Sequence, residues 1–228
     1  MAATLDDIAE ETGLSRATVA RAIGKYGYVS KKAREKVLAA AKKLNYKPNY
    51  VAKSMVTGET KNIGLIVGDI QNPFFSTIAR AISDVIVPEG YSLIVTSTDE
   101  KLEVEKISID RFFQKQVDGL ILAPVSRSNC DHLKELVKSE IPIVLIDRII
   151  EDLDVDMVVS DDIGGGFEAA EYLLDLGHRR IGFLSDTLDI STNYDRIAGY
   201  SKALLKHGIE ERKSWVKLGG FRVEGAYK

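Results

Sequence analysis

The chain has 228 residues, of which 45% are hydrophobic and 29% are charged, a composition typical of a folded globular protein of one or two domains. No apolar run reaches the length of a membrane span, and the first residues lack the apolar core of a secretory signal. The single cysteine, Cys130, excludes an internal disulfide framework and a cysteine-based zinc site. We therefore expect a cytoplasmic protein. The net charge of -3 hides an asymmetry, because residues 1–60 (the head) contain 11 Lys or Arg against 6 Asp or Glu, whereas residues 61–228 (the body) contain 20 against 28.

The first fifty residues are predicted to form three helices around one small core. Gly13 interrupts the first helical pattern, as a tight turn with positive φ requires. Ser15 is a good N-cap for a second helix that runs to Ile23, and Ser30 can cap a third. The apolar positions at helical spacing are Leu5, Ile8, Ala9, Val19, Ala22, Ile23, Ala33, Val37, Ala40, Ala41 and Leu44.

The polar start of the second helix is typical of a helix-turn-helix. Arg16, Ala17 and Thr18 fall at its exposed N-terminal end, with Arg21 one turn later, where such a helix places side chains on base edges in the major groove. The basic charge of the head favours the same polyanion partner, with a merely solvated Lys-rich surface as the alternative. A short segment follows Pro48, too short to be a stable helix unless a partner orders it.

From Ile63 onward, apolar strands alternate with amphipathic helices. The segments "IGLIVGD", "YSLIVTST", "VDGLILAP" and "IPIVLIDR" are predicted to be four parallel strands of a doubly wound sheet. The segments "VDMVVSDD", "GGGFEAAEYLLDLG", "HRRIGFLSD" and "NYDRIAGYSKALLKHG" then begin a second set. The body is therefore predicted to have two α/β lobes, like sugar-binding proteins of the periplasmic type.

Ligands of such folds bind beyond the carboxyl ends of the strands, here in a cleft between the lobes. Carboxylates and arginines can bond vicinal hydroxyls while an aromatic face stacks on a ring, which suits a small sugar or sugar derivative. Phe75 has a core position as its alternative, and Asp161 has a helix cap. The candidates at these strand ends are Asp69, Asn72, Phe74, Phe75, Asp147, Arg148, Asp161, Thr192, Arg196 and Phe221.

The residues give no pattern typical of an enzyme. The segment "GDIQNPFF" lacks the lysine of a phosphate loop, and the glycines of "DIGGGFE" are interpreted as helix packing. The three histidines have no metal-ligand spacing, and no catalytic triad or carboxylate pair is evident. We expect no enzymatic activity, no cofactor and no metal.

A series of blocks in fixed order resembles the bacterial repressors of the lactose/galactose repressor family. The blocks are "TLDDIAEETGLSRATVARAI", "VSKKAREKVLAAAKKLNYKPN", "AKSMVTGETKNIGLIV", "DIQNPFF", "VDGLILAP", "IPIVLIDR", "LGHRRIGFL" and "DRIAGY". The resemblance implies a dimeric repressor that binds a pseudo-palindromic operator on double-stranded DNA and a sugar-like effector. By the resemblance, the DNA-facing positions are Thr4, Ser15, Arg16, Ala17, Thr18 and Arg21, and the effector positions are Asn72, Phe74, Asp147, Arg148, Arg196 and Phe221. The full set of DNA-binding candidates adds Leu5, Tyr28, Lys32, Asn49, Ala52 and Met55, and the full set of effector candidates adds Asp69 and Thr192.

Several of these positions carry a distinct expectation. Arg16 can contact guanine in a bidentate manner and Ala17 can offer a methyl group to thymine. Lys32 can add positive charge near the DNA backbone, and its alternative role is to keep the surface soluble. Met55 stands where the family usually places the leucine that wedges between base steps in the minor groove. Ala20 replaces a common serine, which removes one possible phosphate or capping contact.

The expected domains are a three-helix DNA-binding domain (1–48), a hinge helix and linker (49–60), lobe one (61–161) and an incomplete lobe two (162–228). Completing lobe two would need roughly a hundred further residues, since each βαβ unit takes about 30. The chain is therefore expected to be a fragment or a truncated product that leaves a sheet edge and apolar faces exposed. The alternatives to a working repressor are a small-molecule binding protein with a vestigial head and a non-functional truncated regulator.

Overall fold

A computed structural model describes residues 3–47, 54, 58–139 and 141–219. The chain folds as two compact units that divide between Thr60 and Lys61. Within the described ranges, no helix combines the length and the apolar composition that crossing a bilayer needs.

The head consists of three helices packed around one apolar cluster. Their bounds are Leu5–Thr12 (α1), Arg16–Gly24 (α2) and Lys31–Lys43 (α3). Side chains from all three helices meet in the cluster, as the helical spacing predicts. Its buried members are Ile8, Val19, Ala22, Val37, Ala40 and Ala41.

The predicted caps of the head helices are confirmed. Gly13 ends α1 with a φ of 63°, in the left-handed region that glycine adopts freely. The Ser15 hydroxyl accepts a hydrogen bond from the backbone N–H of Thr18, and Ser30 caps α3 in the same way. Thr4 adds a capping box at the start of α1, because its side chain and that of Asp7 each accept from the other residue's backbone.

Lobe one is a five-stranded parallel sheet in the order β2-β1-β3-β4-β5. This doubly wound order reverses between β1 and β3, where such folds open a crevice for ligands. The strands are Asn62–Val67 (β1), Ser92–Ser97 (β2), Gly119–Leu122 (β3), Ile143–Ile146 (β4) and Asp156–Val158 (β5), and the helices between them are Pro73–Ile86 (α4), Leu102–Gln114 (α5) and Asp131–Val137 (α6).

The fifth strand differs from the prediction. The segment "VDMVVSDD" was expected to begin the second set, but Asp156–Val158 pairs with β4, with Val144 opposite Asp156. That interpretation is wrong because a short edge strand is held by its backbone partner, and periodicity along the chain does not identify that partner. All three residues of β5 are exposed, as an edge position allows.

Lobe two packs two helices against a two-stranded parallel sheet. Its elements are Asp162–Asp175 (α7), Phe183–Ser185 (β6), Ser191–Lys206 (α8), a 3₁₀ turn at Lys213–Trp215, and Val216–Leu218 (β7), which the sequence did not predict. Ala170, Leu174, Tyr200, Ala203 and Leu204 are buried in its core. Leu184 and Leu218 on the two strands of this sheet are more than half exposed.

Glycines let α7 and α8 approach closely. A Cβ at Gly166 would lie 2.2 Å from the carbonyl oxygen of Arg196, and a Cβ at Gly199 would lie 2.1 Å from that of Ile163. The interpretation of the glycine run as helix packing is confirmed at Gly166. It is wrong for Gly165, where an added Cβ would meet no atom within 4 Å.

Candidate functional site

The N-terminal end of α2 presents an exposed polar surface. Arg16 and Ala17 are exposed and Thr18 is half-buried. The hydroxyls of Ser15 and Thr18 lie 2.9 Å apart, and Ser15 also caps the helix, so the two side chains are held in place without a ligand. This end of α2 therefore has a defined shape with its donors at the surface.

Arg16 forms an ion pair with Asp6. The Nε–Oδ1 distance is 3.2 Å, and the two side chains are 69% and 70% exposed. Exposed ion pairs contribute about 0–1 kcal/mol because water competes for both partners. The guanidinium can therefore exchange Asp6 for another acceptor at small cost.

The remaining predicted DNA-facing residues divide into three groups. Arg21, Tyr28 and Lys32 are exposed, and Tyr28 is 88% exposed. Thr4 is an exposed helix cap, while Leu5 is half-buried and packs against the head core. Asn49, Ala52 and Met55 lie outside the described residues.

In the body, a cavity of about 810 Å³ opens between lobe one and lobe two. Phe221, the eighth predicted effector residue, lies outside the described residues. The other seven line this cavity, which brings together residues up to 127 positions apart in the sequence: Asp69, Asn72, Phe74, Asp147, Arg148, Thr192 and Arg196.

Two carboxylates of the cavity were missed by the sequence reasoning. Glu100 follows the end of β2, and Asp186 follows the end of β6 directly. Both residues are predictable from the sequence by the rule that points to the polar residues after β1 and β4. According to this rule, polar residues beyond the carboxyl end of a strand face the ligand crevice.

Glu100 binds the guanidinium of Arg148 in the most buried ion pair of the cavity. Nη1 and Nη2 of Arg148 each donate to one carboxylate oxygen of Glu100 at 2.6 Å, and both side chains are only 6% exposed. Nη1 also donates to the carbonyl of Pro124 at 3.0 Å. A bidentate pair of this kind is strong and fixes the planes of both groups.

Asp147 occupies a constrained position at the end of β4. Its backbone φ is 66°, in the left-handed region that few side-chain-bearing residues adopt. Burial raises the pKa of its carboxyl, while the positive charges of Arg148 and Arg196 oppose that rise. Nε of Arg148 lies 3.5 Å from Oδ2 of Asp147 without a hydrogen bond.

Further residues of the rim are positioned by helix ends. Asn72 caps α4, and its side-chain oxygen accepts from the backbone N–H of Phe74 at 3.0 Å. The Phe74 ring is 45% exposed and meets Phe75 edge-on at 5.3 Å. Phe75 is buried in the lobe-one core, as its predicted core alternative states, and it also lines the cavity. Nε of Arg196 donates to Asp162 at 2.7 Å.

Asp161 does not line the cavity. Its carboxylate accepts from the backbone N–H of Gly164 at 2.8 Å and caps α7. The helix-cap alternative for this residue is therefore confirmed.

Asp186 contributes a carboxylate from lobe two. Burial and the negative charge of Glu100 raise its pKa to about 6, against the opposing effect of Arg148. One of its oxygens, Oδ2, is buried and accepts no hydrogen bond within the part of the chain that the structure describes. Such an oxygen is costly unless a donor reaches it.

The two lobes are also joined by direct hydrogen bonds. Ser128 Oγ donates to Asp189 Oδ1 at 2.6 Å, and the Ile149 N–H donates to Ser191 Oγ at 2.8 Å. Burial acts to raise the pKa of Asp189, but hydrogen bonds from Ser126 and Ser128 outweigh it and lower the pKa below its ordinary value. These bonds hold the lobes in one relative placement.

Among the residues that the structure describes, no three His, Cys, Asp or Glu side chains are grouped so that they could hold a metal ion. The cavity is lined by hydrogen-bond donors and acceptors together with the apolar side chains of Phe74, Phe75, Leu184 and Ile190. They suit the recognition of a polar small molecule.

Comparison with known families assigns both units. The family described as "Bacterial regulatory proteins, lacI family" matches residues 4–49. The family described as "Periplasmic binding proteins and sugar binding domain of LacI family" matches residues 60–228. The two matches together cover residues 4–49 of the head and the whole body.

Individual relatives agree with this assignment. The repressor PurR of Mannheimia succiniciproducens is 33% identical over 99% of this chain and 68% of its own length. The ribose operon repressor of Halalkalibacterium halodurans is 36% identical over 99% of this chain and 66% of its own length. A crystal structure of a lac repressor dimer bound to operator and the anti-inducer ONPF matches all of this chain and 68% of that one, with a TM-score of 0.84 and 26% identity.

Proposed function

Because this chain belongs to the LacI family of bacterial regulatory proteins, we propose that it represses transcription by binding operator DNA through α2, under the control of a small sugar-like effector. The observation that best supports this proposal is that one chain contains both a candidate DNA-binding surface and a candidate effector cavity. The head exposes the N-terminal end of α2, and the body gathers seven predicted effector residues around one cavity. The proposed location is the cytoplasm, where operator DNA is found.

The proposed contacts of α2 follow from side-chain chemistry. Arg16 leaves Asp6 and contacts guanine O6 and N7, while the Ala17 methyl contacts the methyl group of thymine. Ser15 and Thr18, together with Lys32, bond phosphate oxygens and set the register of the helix in the groove. The protein acts as a homodimer, so that two heads read a pseudo-palindromic site.

The proposed contacts of the cavity fall on both lobes. Asp147 and Arg148 from lobe one and Arg196 from lobe two hydrogen-bond the hydroxyls of the effector, and Phe74 packs on its ring. An effector that contacts both lobes favours one lobe placement over another. It can change DNA affinity only by the difference in its own affinity for the two placements.

The proposal for residues outside the described ranges rests on the sequence resemblance. Met55 wedges into the minor groove between base steps and kinks the duplex. Asn49 and Ala52 contact the DNA backbone beside it, and Phe221 contacts the effector.

The test is selection of bound sequences from a pool of random DNA duplexes by the purified 228-residue chain, across a salt series, with its oligomeric state recorded. Enrichment of a two-fold-symmetric site, with affinity falling steeply as salt rises, is the expected result. Sugar binding without any enriched DNA site would indicate a small-molecule binding protein with a vestigial head. A monomer or aggregate that binds neither would indicate a non-functional product.

A further inference from the structure

The charges around the cavity indicate a class of ligand, an inference that rests on the proposed effector site. Among the residues that the structure describes, four carboxylates and two guanidiniums line the cavity: Asp69, Glu100, Asp147, Asp186, Arg148 and Arg196. When these described groups are all ionised, they leave two negative charges in excess. A cavity with this balance repels an anionic ligand unless a cation is reserved for it.

Neither guanidinium is reserved in this way. Both terminal nitrogens of Arg148 are bound by Glu100, and one also donates to the Pro124 carbonyl. Arg196 is held at Nε by Asp162 and is about half exposed. Nε of Arg148 makes no hydrogen bond, but it lies 3.5 Å from Oδ2 of Asp147, whose negative charge would repel an anion bound there. Elsewhere, a phosphate or carboxylate group would have to break the buried Arg148–Glu100 pair or rely on a solvated Arg196, where ion pairing contributes little.

The carboxylate of Asp186, in contrast, is only partly satisfied by hydrogen bonds from the described residues. Its Oδ2 atom is buried and accepts no hydrogen bond from the described residues, yet the residue lines the cavity. The groups that bear on its charge are Glu100 at the end of β2, Arg148 at the end of β4 and the backbone N–H of Thr187. A ligand that brings a donor to this carboxylate would remove the cost of the unpaired oxygen.

We propose that the cavity selects neutral or amine-bearing sugars over phosphorylated or carboxylated sugars, and that Asp186 sets this selectivity by accepting a hydrogen bond from a ligand hydroxyl or ammonium group. The shared chemistry of the two favoured ligand types is a hydrogen-bond donor without a negative charge. An ammonium group would bind Asp186 more strongly than a hydroxyl, because a charge-assisted hydrogen bond is about twice as strong as a neutral one.

The test is calorimetric titration of the purified chain with matched sets of probes. Each set contains a neutral sugar, its amino derivative and its phosphorylated form: glucose, glucosamine and glucose 6-phosphate; galactose, galactosamine and galactose 6-phosphate; ribose and ribose 5-phosphate. We expect a neutral or amino sugar to bind and its phosphorylated form to bind at least about tenfold more weakly. Preference for the amino derivative identifies the ammonium contact, and equal binding of neutral and amino forms identifies the hydroxyl contact.

The same titrations on Asp186→Asn test the residue. We expect the variant to bind the favoured sugar about tenfold more weakly and the phosphorylated form more tightly than the original chain does. The ratio of the two affinities should therefore decrease. The affinity of the original chain should rise between pH 5 and pH 7 as Asp186 ionises. The affinity of the variant should rise less over this range, with Asp147 as the remaining carboxylate of raised pKa. Asp110→Asn makes the same change of charge on the exposed face of α5 and should alter neither the ligand selectivity nor the pH dependence of binding.

Two results would overturn the inference while supporting an effector site. One is tighter binding of a phosphorylated sugar than of its neutral form, and the other is unchanged selectivity and pH dependence in Asp186→Asn. Absence of binding by every probe would overturn the proposed effector function together with this inference. DNA selection by the head would remain a separate result.

Discussion

Arg148 and Glu100 meet at the floor of the cavity as a buried bidentate ion pair, with both N–O distances at 2.6 Å. Gly68 makes room for them, because a Cβ at that position would lie 1.9 Å from Oε1 of Glu100. The pair joins the loop after β2 to the end of β4. It therefore determines the shape of the lobe-one side of the cavity before any ligand arrives.

Replacing Glu100 by Gln should destabilise the body strongly. The change keeps the size of the side chain but removes the bidentate charged partner of a buried cation and leaves Arg148 only Asp147, at 3.5 Å. Breaking a buried ion pair in this way costs about 3–5 kcal/mol. Urea denaturation followed by circular dichroism measures the loss. Glu103→Gln is the control, since Glu103 is 79% exposed and its pair with Lys106 contributes little. A loss below about 1 kcal/mol for Glu100→Gln would show that the pair is not needed for folding.

Replacing Gly166 by Ala should force α7 and α8 apart. The new Cβ would lie 2.2 Å from a backbone carbonyl of the other helix, so the helices must shift at a cost of roughly 2–3 kcal/mol. The fluorescence of Trp215, the single tryptophan of the chain, reports on this lobe because its side chain packs against the lobe-two core.

The matched control for that prediction is the neighbouring Gly165→Ala. An added Cβ there meets nothing within 4 Å, and alanine is the better helix former by up to about 1 kcal/mol. Equal denaturation midpoints for the two variants would contradict the close approach of the helices.

Replacing Arg16 by Ala should reduce the discrimination of the enriched DNA site at one base step. Loss of a bidentate guanine contact corresponds to about 1–3 kcal/mol, measured as the affinity ratio between the site and its single-base variant. The stability of the head should change little, because the pair with Asp6 is exposed. Lys36→Ala removes the same charge from an exposed position of α3 and should leave discrimination unaltered. An unchanged ratio for Arg16→Ala would refute its role in reading a base.

Asp186→Asn should also change how stability depends on pH. The pKa of Asp186 is raised to about 6 in the folded protein, so the folded state keeps a proton that the unfolded chain loses near its ordinary value of 3.8. The contribution of this group to stability is therefore complete at about pH 4, falls as the pH rises through 6 and is lost above that.

The Asn variant should accordingly melt at a higher temperature than the original chain at pH 7.5, by roughly 2 °C. The difference should shrink below pH 6 and vanish near pH 4. Thermal melts at several pH values measure it, with Asp110→Asn as the control for a general change of charge. A constant difference across this range would mean that Asp186 titrates normally.

Local features of this protein can be predicted from its sequence alone. Helix caps such as Ser15 and Ser30, the alternation of strands and helices, and the polar residues that follow β1 and β4 are all predictable because they depend on neighbours along the chain. The order of the sequence blocks also indicates the family.

Contacts between residues that are distant in sequence are visible in the folded structure and not in the sequence. It placed β5 in the first sheet, paired Glu100 with Arg148, and brought Asp186 from the other lobe to the same cavity. These outcomes depend on backbone pairing and on burial, which act between segments far apart in sequence. Local propensity therefore does not predict which charged side chains will be paired within the protein and which will remain available to a ligand.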